Sequence, residues 1–155
     1  MRAGNERLSA NFSLTELTKS DLAVRHGIDN SPDISVIANL RQVAEHILEP
    51  IRDHFSIPFS PNSGYRCLEL NRLLKSPDTS QHVTGQAVDI EVPCVSNIDL
   101  ASWIVDHLPF DQLILEFHTP GEPDSGWVHC SFVAEGQRGD VLTFTRAGYM
   151  KGLIA

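Results

Sequence analysis

The sequence predicts an α+β fold in which helices come first along the chain and strands come last. Apolar residues recur at helical spacing through the first half, and they alternate with polar residues in the second half. The chain has 155 residues, of which 41% are hydrophobic and 21% charged, as in an ordinary globular protein. We therefore expect one domain over residues 1–155, with residues 1–11 as a flexible start and antiparallel strands in the second half.

Four helices are expected. The first runs from the capping box Ser13-Leu14-Thr15-Glu16 to about Arg25. The second begins at Ser31-Pro32-Asp33 and keeps helical spacing to Phe55, with a kink or a split at Pro50. Two shorter helices are expected over residues 67–74 and 97–108.

Five stretches read as strands: residues 57–64, 87–92, 112–118, 126–133 and 141–145. In the second of them Val88 and Ile90 share one face, while Asp89 lies on the other. A carboxylate on a partly buried strand needs a partner, because an unpaired buried charge is costly. His82 precedes Asp89 by seven residues across a turn at Gly85, and a divalent metal shared by the two would satisfy both groups.

The third candidate ligand is His129, which alternation places on one face of its strand with Trp127 while Cys130 points away. Two imidazoles and one carboxylate are a normal ligand set for catalytic zinc, which leaves a fourth position for water. Glu116 projects from a neighbouring strand. It is a candidate general base, because zinc lowers the pKa of water to about 7. Asp89 and Glu91 could instead form a Ca²⁺ site, but calcium prefers all-oxygen ligands.

Composition excludes several classes of function. Twelve basic residues against 20 acidic ones give a net charge of −8, which argues against a nucleic-acid partner. Three cysteines without CxxC spacing argue against a disulfide framework. No signal peptide is visible in Met1 to Ala10, and no apolar run is long enough for a membrane span. We expect cytoplasmic synthesis and a monomer.

The spacing Ser80-x-His82-x-x-Gly85-x-Ala87-x-Asp89, followed by a Trp-x-His strand, resembles the peptidase M15 family of zinc D-Ala-D-Ala carboxypeptidases and related phage endolysins. Phe-Ser-Leu-Thr-Glu-Leu near the start, Leu-Glu-Pro-Ile-Arg, and Ser63-Gly64-Tyr65-Arg66 resemble its phage and prophage subgroup. The resemblance runs from about Phe12 to about Phe132. It implies the fold that these enzymes share with the Hedgehog signalling domain, a small antiparallel sheet flanked by helices.

The resemblance also implies a role for individual residues. The zinc ligands fall on His82, Asp89 and His129, and the catalytic carboxylate falls on Glu116. Arg66 would hold the substrate's carboxylate or polarise the scissile carbonyl, while Ser80 and Tyr65 would line the substrate cleft.

One position departs from the pattern of part of the family. Some members carry the acid three residues before the last metal ligand, where this chain has Gly126. Asp124, in the turn-rich loop over residues 119–125, is therefore an alternative candidate for the base.

The function implied by the resemblance is zinc-dependent hydrolysis of an amide bond in peptidoglycan stem peptides, by a carboxypeptidase or a phage-type endopeptidase. The enzyme would then reach the cell wall by phage-type release or delivery. Two alternatives stay open: a non-catalytic zinc module of Hedgehog-like fold, and a phage tail-associated protein that processes the wall.

Overall fold

The computed structural model describes residues 6–154 as six short α-helices and one five-stranded sheet. The helices are α1 (Leu14–Thr18), α2 (Asp21–Arg25), α3 (Ile34–Val43), α4 (Glu49–Phe55), α5 (Leu68–Leu73) and α6 (Asn97–His107). The strands are β1 (Ala87–Ile90), β2 (Gln112–Glu116), β3 (Trp127–Ser131), β4 (Asp140–Thr145) and β5 (Gly148–Lys151). The α+β class is therefore confirmed.

The sheet has the strand order β1-β3-β2-β4-β5, and it is not purely antiparallel. β2 and β4 run parallel, whereas the other three neighbouring pairs are antiparallel, so the expectation of an antiparallel sheet is wrong at this pair. The connection 132–139 stays at one end of the sheet and passes the start of β2. A strand that returns in this way runs opposite to β3, and therefore in the same direction as β2.

The helices of the first half are broken more often than the sequence pattern predicts. The single helix expected to reach Arg25 is two helices, because α1 ends at Thr18 and the hydroxyl of Ser20 caps α2. The long helix is capped by Asp33 rather than Ser31.

Pro50 lies at the start of α4, and a π-helical segment, Ala44–Leu48, separates this helix from α3. Proline has no N–H to donate to the preceding turn. The expected break is thus present, but it takes the form of a wider helical turn just before the proline.

Residues 57–64 do not form the expected strand. This segment is an extended loop that meets β1 through one bridge, in which the Asp89 N–H donates to the Ser63 carbonyl at 2.8 Å. Pro58 and Pro61 cannot donate to a ladder, so the pairing does not extend.

Residues 6–11 pack against the domain instead of forming the flexible start expected for residues 1–11. Leu8 is only 2% exposed, and Ser9 and Asn11 donate hydrogen bonds to the Glu49 carboxylate at 2.5–2.8 Å. Residues 1–5 lie outside the described residues. Within the part of the chain that is described, no helix combines the length and apolarity needed to cross a membrane.

The hydrophobic core lies between one face of the sheet and the helices α3, α4 and α6. Val88, Ile90, Leu113, Leu115 and Val128 supply the sheet side of this core and are all fully buried. Strand alternation then turns the residues between them to the opposite face, where a cavity of about 720 Å³ opens.

Candidate metal centre

Three candidate metal ligands meet on the cavity floor. Asp89 of β1 and His129 of β3 face each other in register, and His82 comes from the turn before β1. One ligand atom from each residue lies within 4.8 Å of the others. Asp89 Oδ1 is 3.3 Å from His82 Nε2 and 3.2 Å from His129 Nδ1. The two imidazoles and the carboxylate singled out in the sequence are thus brought together.

The chemistry of this donor set fits a metal ion. His82 Nδ1 lies 2.7 Å from the Gly64 carbonyl oxygen, which can only accept, so Nδ1 carries the hydrogen and Nε2 keeps its lone pair. Nε2 is buried and has no hydrogen-bond partner. Ligand atoms about 2.0–2.1 Å from a tetrahedral ion are about 3.3 Å apart, which matches the two separations from Asp89.

The surroundings of His82 and Asp89 favour the protonation states that bind a metal ion, a neutral imidazole and an ionised carboxylate. Burial lowers the pKa of His82, against the attraction of Asp89, so the imidazole is neutral and free to donate its lone pair. Burial also opposes ionisation of Asp89, but the two neighbouring imidazoles, His82 above all, outweigh it and hold the pKa of Asp89 well below its usual range.

Gly85 allows the His82 turn to pack tightly against α3. Its φ is +75°, and a Cβ at this position would lie 2.9 Å from a side-chain carbon and the carbonyl oxygen of Val36. The glycine of the Ser80–Asp89 stretch is therefore required by the backbone and by its neighbour on α3.

Glu116, at the end of β2, lines the same cavity as the three candidate ligands. Burial, followed by the nearby Asp89 carboxylate, raises the pKa of Glu116 to about 7, although His129 and Arg66 act in the opposite direction. A carboxyl group with a pKa near neutrality can both accept and return a proton at physiological pH.

Gly126 explains why the acid is not found three residues before His129. Its φ is +69°, and a Cβ there would lie only 2.0 Å from the Glu116 carbonyl oxygen. This backbone cannot accept a side chain at position 126 without moving, so the cavity carboxylate comes from β2 instead.

Arg66 reaches the cavity from the segment before α5. Its backbone N–H donates to the His82 carbonyl at 3.0 Å, which fixes Arg66 beside the turn that carries His82. Burial lowers the pKa of the guanidinium, while Asp89 and Glu116 act in the opposite direction. The Nε atom is buried and has no hydrogen-bond partner, so this cation keeps donor capacity within the cavity lining.

Ser80 and Tyr65 were expected to line the substrate cleft, but only one of them lies in the cavity. Ser80 lines it, and its hydroxyl accepts a 3.3 Å hydrogen bond from the His82 N–H. Tyr65 does not line the cavity but packs against the hydrophobic core, because neighbouring residues of an extended segment point to opposite sides. Asp124, the alternative base, lies in a separate depression with Glu91 and Asn97.

The sequence pattern missed an aromatic wall along the cavity, formed by Phe117, Trp127, Phe144 and Tyr149. Successive ring centroids along this wall are 4.4–5.4 Å apart. Strand alternation groups Phe117 with the buried Leu113 and Leu115, but its φ of 53° ends the alternation and turns the ring into the cavity. The same twist carries His118 out of the cavity lining.

A protein-family model described as Peptidase M15 matches residues 10–131. The chain belongs to the peptidase M15 family. The match confirms the family expected from the zinc-type motif, and it ends at the last residue of β3. No curated protein matches the chain. M15 proteins are metal-dependent peptidases, and the one cluster of potential metal ligands found among residues 6–154 is His82, Asp89 and His129.

Proposed function

We propose that this M15 peptidase is a zinc enzyme that hydrolyses an amide bond in a peptidoglycan stem peptide. The observation that carries the proposal is the shared cavity, in which three candidate ligands, a carboxyl group of raised pKa and the half-buried Arg66 guanidinium face the same space. A structural zinc site is normally closed by four protein ligands, whereas a catalytic site has three.

Zinc is the proposed metal because of the donor set. Two imidazoles with one carboxylate suit zinc, while calcium and magnesium prefer oxygen ligands throughout. His82, Asp89 and His129 would hold the ion, and a bound Zn²⁺ would supply Lewis-acid polarisation of the carbonyl and lower the pKa of water to about 7.

The protein's own residues would then manage the proton and the developing charge. Glu116 takes one proton from the attacking water as the oxygen adds to the carbonyl carbon. The same carboxyl group returns this proton to the amine nitrogen as the C–N bond breaks, so the products are a carboxylic acid and an amine. Arg66 would stabilise negative charge on the carbonyl oxygen or hold a carboxylate of the substrate.

The aromatic wall extends the cavity beyond the proposed reaction centre, and it includes residues of β4 and β5 beyond the family match. Tyr149 is 63% exposed and Phe117 40% exposed, so both offer ring surface to a bound molecule. A peptide chain lying in the cavity could pack apolar groups against these rings.

Mass spectrometry of purified muropeptides incubated with the zinc-loaded protein tests the proposal. Loss of a terminal D-Ala would identify a carboxypeptidase, and an internal cut would identify an endopeptidase. Unchanged muropeptides, together with tight zinc binding, would favour the non-catalytic zinc module instead.

A further inference from the structure

Arg138 is a second guanidinium at the cavity, and it has no part in the chemistry proposed above. It belongs to the connection 132–139 between β3 and β4, beyond the residues matched by the family model. Its side chain is 55% exposed, so it is available to a bound molecule.

The guanidinium is fixed by Asp111, whose side chain is only 5% exposed. Arg138 Nη2 donates to Asp111 Oδ2 at 2.7 Å, and Nε donates to Oδ1 at 3.1 Å. The Arg138 backbone N–H also donates to Oδ1, at 2.9 Å. Asp111 in addition accepts a 2.8 Å bond from Gln81, the residue before His82. The Asp111 carboxylate thus links Arg138 to the turn that carries His82.

This pairing uses only one edge of the guanidinium. Of the five N–H donors of an arginine side chain, the Nε–H and one Nη2–H go to Asp111. Both hydrogens of Nη1 and the second hydrogen of Nη2 are left, and one hydrogen on each Nη forms the end-on fork that matches a carboxylate. Because Asp111 holds the Arg138 guanidinium in place, the side chain loses little rotamer freedom when a ligand binds.

The Asp111 network places this fork relative to the candidate metal ligands. Asp111 Oδ2 accepts hydrogen bonds from both Gln81 and Arg138, so the guanidinium lies beside the side chain of the residue that precedes His82. Along the sheet, Asp140, two residues after Arg138, lies opposite Gln112, whereas His129 lies opposite Ile114 on the other side of β2. These two backbone positions are about 12 Å apart, from about 7 Å along β2 and about 10 Å across two strand spacings.

A bound metal would make the cavity favour an anionic occupant. The lining has three cationic side chains and two carboxylates, namely Arg66, Lys75, Arg138, Asp89 and Glu116, and Asp111, which pairs with Arg138 behind the lining, makes the charges even. Asp89 is a candidate metal ligand, and a divalent ion there would make the cavity positive.

We infer that Arg138 forms a specificity subsite for a free carboxylate on the substrate, in the same cavity as the candidate metal ligands but away from the bond that is cut. This inference rests on the proposed function, because it takes the substrate to be a stem peptide. Stem peptides offer such a group in the α-carboxylate of their D-Glu residue, and amidation of that group would remove the match.

The test compares two pentapeptides, L-Ala-γ-D-Glu-L-Lys-D-Ala-D-Ala, that differ only in whether the D-Glu α-carboxyl is free or amidated. Their binding to zinc-loaded Glu116→Gln protein is measured by isothermal titration calorimetry. The free acid should bind about 10- to 100-fold more tightly than the amide, as for hydrogen bonds to a charged group. Adding Arg138→Met should reduce this preference to less than about threefold.

Two further variants keep the test decisive. Removing Arg138 alone leaves Asp111 buried without its cation, so Asp111→Asn/Arg138→Met removes both charges and should also lose the preference. Arg72 is a matched control, because it pairs with Asp78 through the same two nitrogens, at 3.1 and 2.8 Å, outside the cavity lining. Arg72→Met should keep the full preference.

The outcomes separate this inference from the proposed function. Equal binding of acid and amide, no binding of either peptide, or a preference that survives both Arg138 variants would overturn the carboxylate subsite. An Arg138-dependent preference in a protein that cleaves neither peptide would support the subsite and refute the peptidase reaction on these substrates.

Discussion

Replacing Glu116 by Gln should abolish most peptidase activity while making the metal-free protein more stable. Gln keeps the size of the side chain but cannot take a proton from water. General base catalysis contributes about 10²- to 10⁴-fold, so a loss of this order in kcat is expected. The second effect follows from the raised pKa of the buried carboxyl group.

The stability gain can be worked out from that pKa. Glu116 has a pKa of about 7 in the folded protein against an ordinary value of 4.5. Between these two values the unfolded chain loses its proton first, so the folded state binds more protons and the free energy of unfolding falls as pH rises. Each unit corresponds to about 1.4 kcal/mol, so the cost above pH 7 is about 2–3 kcal/mol after allowance for partial solvent screening.

Thermal unfolding of metal-free wild type and Glu116→Gln, measured from pH 4 to pH 8, provides the assay. The melting temperatures should differ little at pH 4, and the variant should gain roughly 5–10 °C at pH 8, since about 1 kcal/mol corresponds to 2–4 °C in a domain of this size. Glu69→Gln, at an exposed position of α5, should show no such gain. A wild type that is as stable as Glu116→Gln at pH 8 would refute the reasoning, and undiminished turnover in the variant would remove Glu116 as the base.

Three other predictions follow from the geometry. Asp89→Asn should weaken zinc binding at least about 100-fold, because a charged ligand is lost, and chelator competition measures this directly; unchanged affinity would contradict the ligand assignment. Gly126→Ala should destabilise by about 2–4 kcal/mol in urea unfolding, whereas Gly121→Ala, also at positive φ but with nothing within 4 Å of its Cβ, should cost only about 1 kcal/mol; equal costs would show that the close contact is not the cause. Arg138 and burial act oppositely on Asp111 and together lower its pKa to about 2, so its contribution of up to about 2 kcal/mol should be complete above pH 4 and lost as pH falls through 2; acid titrations that coincide for wild type and Asp111→Asn would refute this.

The local pattern of the sequence was sufficient to predict the candidate ligands. Strand alternation placed Asp89, Glu116 and His129 on the faces that now line the cavity, and turned Cys130 into the core. Alternation is a property of the backbone itself, so it holds wherever a strand forms. It stops holding where the strand ends, and for this reason Phe117 leaves the face that Leu113 and Leu115 share.

Pairings between distant segments could not be predicted in the same way. Nothing in the short, largely exposed β5 distinguishes it from a loop, and the parallel pairing of β2 with β4 depends on the path of the connection between β3 and β4. The family resemblance suggested Tyr65 as a cleft residue, and the glycine at position 126 made Asp124 an alternative base, but the fold takes both of them away from the cavity.

The sequence by itself therefore determined the helix-then-strand order, the candidate ligand set and the family, since these depend on spacing within a few residues. Only the tertiary structure decided what surrounds the ligands. Arg138 stands beside Gln81, 57 positions earlier, because both bind the buried carboxylate of Asp111. Such a contact depends on how three separate segments close around one charge, and no local periodicity encodes it.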